Sequence, residues 1–111
     1  MPDERARRLA ANEARFREIN ERVERDLEGL VDQRDELLPF VCECGSGECS
    51  DTIGMTIPEY ERVRSDPLLF AVVPGHEIED VEDVLVRHER YLVVRKHSET
   101  HDIAEETDPR R

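Results

Sequence analysis

The sequence has few of the residues that build a large apolar core. Tryptophan is absent, aromatic residues make up 5% and hydrophobic residues 37% of the 111 residues. Small domains bury a smaller share of their surface on folding than large ones do, so the core of this chain can only be modest. We therefore expect a single domain that needs a second source of stability besides its core.

The sequence also has a deficit of positive charge relative to negative charge. The chain carries 28 acidic residues against 16 Lys and Arg, for a formal net charge of −12. Proteins that coat nucleic acid bind phosphates through clustered Lys and Arg, so this composition counts against nucleic acid as a partner. One alternative stays open, a nucleic-acid-binding regulator that uses the Arg-rich start "RARRLAANEARFR", residues 5–17.

Long apolar runs are missing as well. No segment approaches the roughly 18 apolar residues of a membrane span, and the start "MPDERARRLAANEARF" lacks the apolar centre of a secretion signal. We expect a soluble cytoplasmic protein without a membrane contact. Thiols stay mostly reduced in that compartment, so clustered cysteines there indicate metal or redox chemistry more often than disulfides.

The N-terminal segment has the composition of a helix. Residues 3–38 contain no proline and one glycine, and they are rich in Ala, Arg, Glu and Leu, which favour helices. Apolar residues recur at helical spacing and predict a partner-binding stripe: Leu9, Phe16, Ile19, Val23, Leu27 and Leu30. The stripe could pack on its own domain, on a second copy or in the groove of a protein partner. Asn12 interrupts it, and we expect the charged residues of the other face to be solvated.

The remainder of the chain predicts a small antiparallel sheet. "PFVCEC" and "TIGMT" have the composition of two strands that flank a glycine-rich loop, and "LLFAVVP" predicts a third. Thr56 and Glu59 form a capping-box pattern at the start of a short helix, "IPEYERVRSD". Residues 83–87 and 91–96 predict a hairpin, because two β-branched runs flank a short polar break.

These elements predict an α+β fold, with a long N-terminal helix followed by a small zinc-knuckle domain of mostly antiparallel sheet and one short helix. We expect the amphipathic helix in residues 1–38 and the cysteine-containing α+β domain in residues 39–97. Residues 98–111 are polar and predict a loose tail.

All three cysteines lie in "CECGSGEC", with the spacing Cys-x-Cys-x4-Cys. Zinc binds thiolate and imidazole groups in tetrahedral geometry, and a glycine-rich turn lets neighbouring thiols converge on one ion. The best fourth ligand is the histidine that follows the Pro-Gly turn after the third strand, while the other three histidines are reserves. The sequence therefore predicts a structural zinc site formed by Cys42, Cys44, Cys49 and His76. The reserve ligands are His88, His97 and His101.

Two other interpretations of the cysteines stay open. They could form a thiol-based redox sensor, or they could be buried without a chemical role. Glu43 and Glu48 lie next to the thiols in the sequence and should disfavour the reactive thiolate. A zinc ion with four protein ligands has no open position for an activated water, and no catalytic motif is recognisable. We therefore predict a non-enzymatic protein that acts through protein contacts as a regulator or adaptor.

Five segments together carry a resemblance: "NEARFREINERVE" (12–24), "FVCECGSGEC" (40–49), "MTIPEYERVRSDPLLFAVVPGHE" (55–77), "RYLVVRK" (90–96) and "ETDPR" (106–110). In these segments the chain resembles a family of small uncharacterised bacterial proteins with an N-terminal amphipathic helix and a Cys-x-Cys-x4-Cys … Pro-Gly-His motif. The resemblance implies that the three cysteines and His76 belong to one motif. It implies no particular activity.

Overall fold

The structure is a computed structural model that describes residues 4–29 and 35–110. In chain order its elements are α1 (Glu4–Glu28), β1 (Leu38–Val41), β2 (Thr52–Met55), α2 (Ile57–Arg64), β3 (Leu69–Val72), β4 (Glu82–Arg87), β5 (Leu92–Lys96), a 3₁₀ turn (Ser98–Thr100) and α3 (His101–Glu106). The predicted α+β class is confirmed. Leu30, the last residue of the predicted stripe, lies outside the described residues.

The strands form two antiparallel sheets. β1 and β2 make a two-stranded sheet, and the other three have the order β3-β5-β4 with β5 in the centre. The predicted hairpin is therefore present as β4 and β5. Its register contains a bulge, since Val84 lies opposite Val94 while Val86 lies opposite Val93, which leaves Leu85 as the extra residue.

The predicted capping box begins α2. Thr56 Oγ1 accepts a hydrogen bond from the backbone N–H of Glu59, and Glu59 Oε1 accepts one from the N–H of Thr56, at 3.2 and 2.9 Å. Both bonds satisfy N–H groups that a helix start leaves without a partner. The helix thus begins where Tyr60 can stack on Phe40 of β1, with a ring separation of 4.4 Å. Both rings are fully buried, so α2 and β1 share one core.

The buried face of α1 combines alanines with polar and charged side chains, and the expectation that the charged residues are solvated is wrong for Glu13, Arg17 and Glu24. Its buried positions recur every three or four residues, as helical geometry requires: Ala6, Ala10, Glu13, Ala14, Arg17, Asn20 and Glu24. Arg17 donates to the carbonyl groups of Pro67 and Ala104 at 2.5 and 2.6 Å, and its guanidinium lies 4.6 Å from the centre of the Phe70 ring. Polar side chains can be buried in this way because specific partners replace the lost water.

The expected loose tail is also wrong, because residues 98–110 pack against the rest of the chain. Ala104 of α3 is buried and accepts the bond from Arg17. Asp108 pairs with the buried Arg64 of α2, and Arg110 bridges to carboxylates of α1 and α2. The polar composition of this segment predicted a tail. Composition could not predict these ion pairs, because their partners are distant in the sequence.

Among the described helices, none is long and apolar enough to cross a membrane.

Candidate metal centre

The cysteines lie on a knuckle, residues 42–49, that follows β1. The backbone N–H of Cys42 donates to the carbonyl oxygen of Asp51 at 2.9 Å, which closes the loop at its base. Within the loop, the N–H of Cys49 donates to the carbonyl oxygen of Ser46 at 3.2 Å. These bonds fold the chain back so that all three sulfurs face the same side, as the spacing predicted.

His76 reaches the knuckle from the turn that follows β3. Its backbone N–H donates to the carbonyl oxygen of Val73 at 2.9 Å, so the chain reverses within four residues. Gly75 has a φ of +97°, a conformation that glycine adopts without steric cost. The N–H of Glu43 donates to the carbonyl oxygen of Ala71 in β3 at 2.8 Å and fixes the knuckle beside this turn.

The four predicted ligands are brought together. One donor atom from each of Cys42, Cys44, Cys49 and His76 lies within 4.8 Å of the others. His76 Nδ1 lies 3.5 Å from Cys42 Sγ and 3.6 Å from Cys49 Sγ. A tetrahedral zinc ion with ordinary Zn–N and Zn–S bonds separates a nitrogen and a sulfur ligand by about 3.6 Å. The cluster could therefore hold a metal ion, and its donor set suits zinc.

The reserve histidines have other partners. The ring of His88 stacks on Tyr91 at 4.5 Å, and His97 Nε2 lies 3.1 Å from Asp83 Oδ1. His101 Nε2 donates to the carbonyl oxygen of Lys96 at 3.0 Å. His76 is thus the histidine that the fold brings to the thiols.

Asp51 lies beside the imidazole of His76. Its Oδ2 lies 3.3 Å from His76 Nε2, the ring nitrogen that faces away from the sulfurs. Ligating histidines in proteins commonly donate their second N–H to a carboxylate, which selects the tautomer and raises the basicity of the ligand. Asp51 fits this role with His76 Nδ1 as the metal-binding atom.

The three thiols of the cluster differ in pKa because their surroundings differ. The thiol of Cys42, the N–H of Ser46 and the imidazole of His76 lower the pKa of Cys44 to about 5. The same contact with Cys44 raises the pKa of Cys42, and burial raises that of Cys49. The N–H of Val73 donates to Cys42 Sγ at 3.2 Å. Metal binding to all three sulfurs would therefore displace protons from the cluster.

Glu43 does not face the thiols, contrary to the expectation from its position between Cys42 and Cys44. Its carboxylate is fully buried on the core side, where it accepts hydrogen bonds from Asn20 at 2.9 Å, Tyr60 at 2.8 Å and the N–H of Ala71 at 3.0 Å. Burial is the largest effect on this carboxyl and raises its pKa despite these donors. The residue between two candidate ligands is thus held by α1, α2 and β3 together.

Helix α1 contacts both the knuckle and the end of β1 that leads into it. Asn12 Nδ2 donates to the carbonyl oxygen of Gly45 at 2.8 Å, and the side chain of Leu9 lies so close to Gly45 that an added Cβ would approach Leu9 Cδ2 to 2.9 Å. At the end of β1, Asn20 exchanges two hydrogen bonds with the backbone of Val41, at 2.7 and 2.8 Å. The knuckle is therefore a docking platform for α1.

The other residues of the predicted stripe have mixed environments. Val23 and Leu27 are partly buried against the core, and Phe16 is half-buried. Ile19 is 37% exposed. The stripe therefore contributes to packing within the chain, and its use by a partner stays a prediction.

A groove opens beside the candidate centre. It has a volume of about 520 Å³, and Cys44, Cys49 and His76 form part of its wall. Its acidic lining comes from Glu48, Asp51 and Glu77. Cys49 and His76 are partly exposed there, so the cluster is reachable from solvent on one side.

Three contributors to the site were not predicted: Asp51, Asn20 and the core-facing role of Glu43. A signal existed for Asp51, since it follows Cys49 by two residues and carboxylates often accompany metal-binding histidines. The asparagines of α1 were another signal, because they pointed to polar contacts of this helix within the chain. Asn12 interrupts the apolar stripe, and the structure shows that its side chain contacts the knuckle.

Comparisons of the chain with models of protein families, with curated proteins and with solved structures find no significant match. The class of protein is therefore defined from the fold and from the geometry of the candidate site alone. The chain is a small α+β protein in which three cysteines and one histidine form a candidate metal centre.

Proposed function

We propose that this chain is a zinc-stabilised, non-enzymatic protein that acts through protein contacts as a regulator or adaptor. The observation that carries the proposal is the convergence of three sulfurs and one imidazole nitrogen within 4.8 Å. Thiolate and imidazole are the preferred ligands of structural zinc. Four protein ligands fill a tetrahedral ion, so no position is left at which the metal could activate water.

The zinc would stabilise the platform on which α1 docks. Leu9, Asn12 and Asn20 of α1 all contact residues 41–45, immediately beside or within the knuckle. Structural zinc contributes about 10 to 16 kcal/mol to the folding of small peptides, more than the core of a small domain usually supplies. Loss of the ion would therefore loosen the seat of α1. The predicted partner-binding stripe, Leu9 to Leu27 within the described residues, would then become more accessible.

Elemental analysis tests whether the chain binds zinc. Protein purified without added metal should contain about one zinc per chain, and its three thiols should resist titration until the protein is denatured or treated with a chelator. Less than half an equivalent of zinc, with all three thiols freely titratable in the native state, would contradict the proposal. His76→Ala should lower the zinc content, whereas the matched variant His97→Ala should not, because His97 contacts Asp83 outside the cluster.

Hydrogen exchange tests the link between the metal and α1. Removal of zinc should increase amide exchange in residues 4–29 together with exchange in the knuckle. Unchanged protection of α1 in the zinc-free protein would show that the helix does not depend on the metal. For partner binding, we expect a pull-down with the zinc-loaded full chain to capture a protein that the Ile19→Glu variant does not retain, because Ile19 is the exposed residue of the predicted stripe.

A thiol-based redox sensor is the second candidate. It is favoured by three neighbouring sulfurs that form no disulfide, one of which, Cys49, is partly exposed at the groove. Peroxide would oxidise two thiols to one disulfide and would itself be reduced to water, and any bound zinc would be released. Mass spectrometry after mild peroxide treatment tests this candidate, and an unchanged thiol count would eliminate it.

The hypothesis of nucleic-acid binding through the N-terminal arginines has less support than the two candidates above. Several arginines of the N-terminal segment have partners within the chain. Arg17 is buried, Arg5 pairs with Asp80 at 2.6 Å and Arg7 lies 3.8 Å from Asp102. Arginines that are engaged in this way offer less charge to phosphate groups.

A further inference from the structure

Three charged side chains meet between α1 and the three-stranded sheet. Glu13 of α1, Glu82 of β4 and Lys96 of β5 have completely buried side chains. Lys96 Nζ donates to Glu13 Oε1 at 2.7 Å and to Glu82 Oε1 at 3.5 Å. Glu82 and Lys96 also lie opposite each other in the register of their strands. One buried ammonium group therefore joins α1 to both strands.

The charges of this cluster do not balance when all three groups are ionised. Two carboxylates and one ammonium group leave one negative charge without a counter-ion. Burial also removes this charge from water, so the fully ionised cluster is strongly unfavourable. A single proton on one of the carboxylates makes the cluster neutral.

The hydrogen bonds place this proton on Glu13. Both oxygens of Glu82 have donors, since Oε1 faces Lys96 and Oε2 accepts from the backbone N–H of Ile78 at 3.1 Å. Glu13 Oε2 is buried and has no donor among the described residues. A proton on this oxygen can be donated to the Glu82 carboxylate. Burial, followed by this hydrogen bond with Glu82, raises the pKa of Glu13 well above its ordinary value of 4.5, although Lys96 opposes the shift.

Other charged or titratable groups on the surrounding elements are engaged elsewhere. Arg17 of α1 donates to the carbonyl groups of Pro67 and Ala104, and His101 Nε2 of α3 donates to the carbonyl oxygen of Lys96. The remaining groups form ion pairs with each other: Arg5 with Asp80, Arg7 with Asp102, Asp83 with His97, Arg87 with Glu77, and Arg95 with Asp66. The charge that faces both carboxyl groups of the cluster is thus that of Lys96.

We propose that Glu13, Glu82 and Lys96 form a pH-sensitive switch, in which a proton on Glu13 holds α1 against the sheet and its loss at higher pH releases the helix. In the released state Glu13 is solvated and ionises at its ordinary pKa of 4.5. The docking of α1 is therefore strongest below pH 4.5. Its equilibrium constant falls about tenfold per pH unit from there to the raised pKa of the docked state. The cluster is separate from the candidate metal centre, so the switch goes beyond the proposed function.

Hydrogen exchange of the full chain, as purified, from about pH 5 to about pH 9 tests the switch. After correction for the intrinsic exchange rate, the protection of residues 10–20 in α1 should fall as the pH rises. Glu13→Gln has a neutral amide that can accept from Lys96 and donate to Glu82, as the protonated carboxyl does. Its protection should therefore fall about tenfold less per pH unit than that of the wild type, up to the raised pKa of Glu13. Groups that titrate in both proteins, such as Glu24, cancel in this comparison.

Glu18→Gln is the matched control. The side chain of Glu18 lies on the same helix and is 61% exposed, so the variant should have the pH dependence of the wild type. Equal pH dependence of the wild type and Glu13→Gln overturns the proposal. Failure of Glu13→Gln to fold also overturns it, because the ionised carboxylate would then be the required partner of Lys96.

Carbon NMR of the glutamate carboxyl groups observes the proton directly. The signal of Glu13 can be identified by its absence from the spectrum of Glu13→Gln. We expect this signal to titrate well above pH 4.5, the ordinary pKa of a glutamate. Titration at or below that value would show that Glu13 is ionised in the docked state, which overturns the proposal.

Discussion

Replacing Asn20 with alanine should destabilise the protein more than any other single change on α1 that removes only a neutral side chain. Asn20 is fully buried. Its Oδ1 accepts from the N–H of Val41 at 2.7 Å, and its Nδ2 donates to the carbonyl oxygen of Val41 at 2.8 Å and to Glu43 Oε2 at 2.9 Å. Two neutral hydrogen bonds and one to a carboxylate are lost, so Asn20→Ala should cost about 3 to 5 kcal/mol.

Urea denaturation of the zinc-loaded protein, followed by circular dichroism because the chain has no tryptophan, measures this cost. Asn12→Ala is the matched control. Asn12 is half-buried and donates one hydrogen bond to the knuckle, to Gly45, so its loss should cost about 1 kcal/mol. If Asn20→Ala is no more destabilising than Asn12→Ala, the structural reasoning about the buried asparagine is wrong.

The same variant has a second expected effect, on zinc binding. Asn20 helps to hold Glu43, which lies between Cys42 and Cys44, so its loss should disorder both candidate ligands. We expect zinc affinity to fall about tenfold, the lower end of the effect seen when residues that support ligands are removed. Competition with a chromophoric chelator measures the affinity. An unchanged affinity in a destabilised variant would separate the packing of α1 from the metal centre.

Three further changes have effects that follow from particular contacts. Asp51→Asn should weaken zinc binding about 10- to 100-fold, because the carboxylate lies 3.3 Å from His76 Nε2, where it would support the ligand, while Glu48→Gln in the same groove should leave the affinity unchanged. Burial, followed by the neighbouring Glu61, raises the pKa of Glu24 to about 7 from 4.5. The folded state therefore holds this proton more tightly, and the contribution of Glu24 to the free energy of unfolding is full below pH 4.5 and is lost as the pH rises through 7. That loss should be about 3 kcal/mol smaller in Glu24→Gln, as urea melts at several pH values would show, and equal losses in both proteins would contradict the assignment. Arg17→Met should cost about 3 kcal/mol in urea denaturation, because two charge-assisted hydrogen bonds to carbonyl groups are lost, and a cost below about 1 kcal/mol would contradict this.

Features that depend on residues close in the sequence were predictable. The capping box of α2 needs only Thr56 and Glu59, and the hairpin of β4 and β5 needs two β-branched runs around a short break. The turn that places His76 needs Gly75 in a conformation that glycine adopts freely. In each case the pattern and the interaction lie within a few residues, so the rest of the fold has little influence on them.

The face of α1 that is buried was not predictable in this way. Apolar periodicity selects the stripe from Leu9 to Leu27, which is only partly buried, whereas Glu13, Arg17 and Asn20 are fully buried. Glu13, for example, lies 2.7 Å from the ammonium group of Lys96, which is far away in the sequence. Burial of a charged group is unfavourable without a partner and acceptable with one. The partner cannot be identified before the strands are in place.

The sequence by itself determined the set of candidate ligands, the α+β class and the local order of helices and strands, because spacing, capping and turn residues act over short distances. The tertiary structure decided that Glu43 faces the core, that α1 docks on the knuckle through asparagines, and that residues 98–110 pack against α1 and α2. Each of these outcomes depends on a polar or charged group whose partner lies far along the chain. The cost of removing such a group from water is offset only when the fold brings that partner within hydrogen-bonding distance.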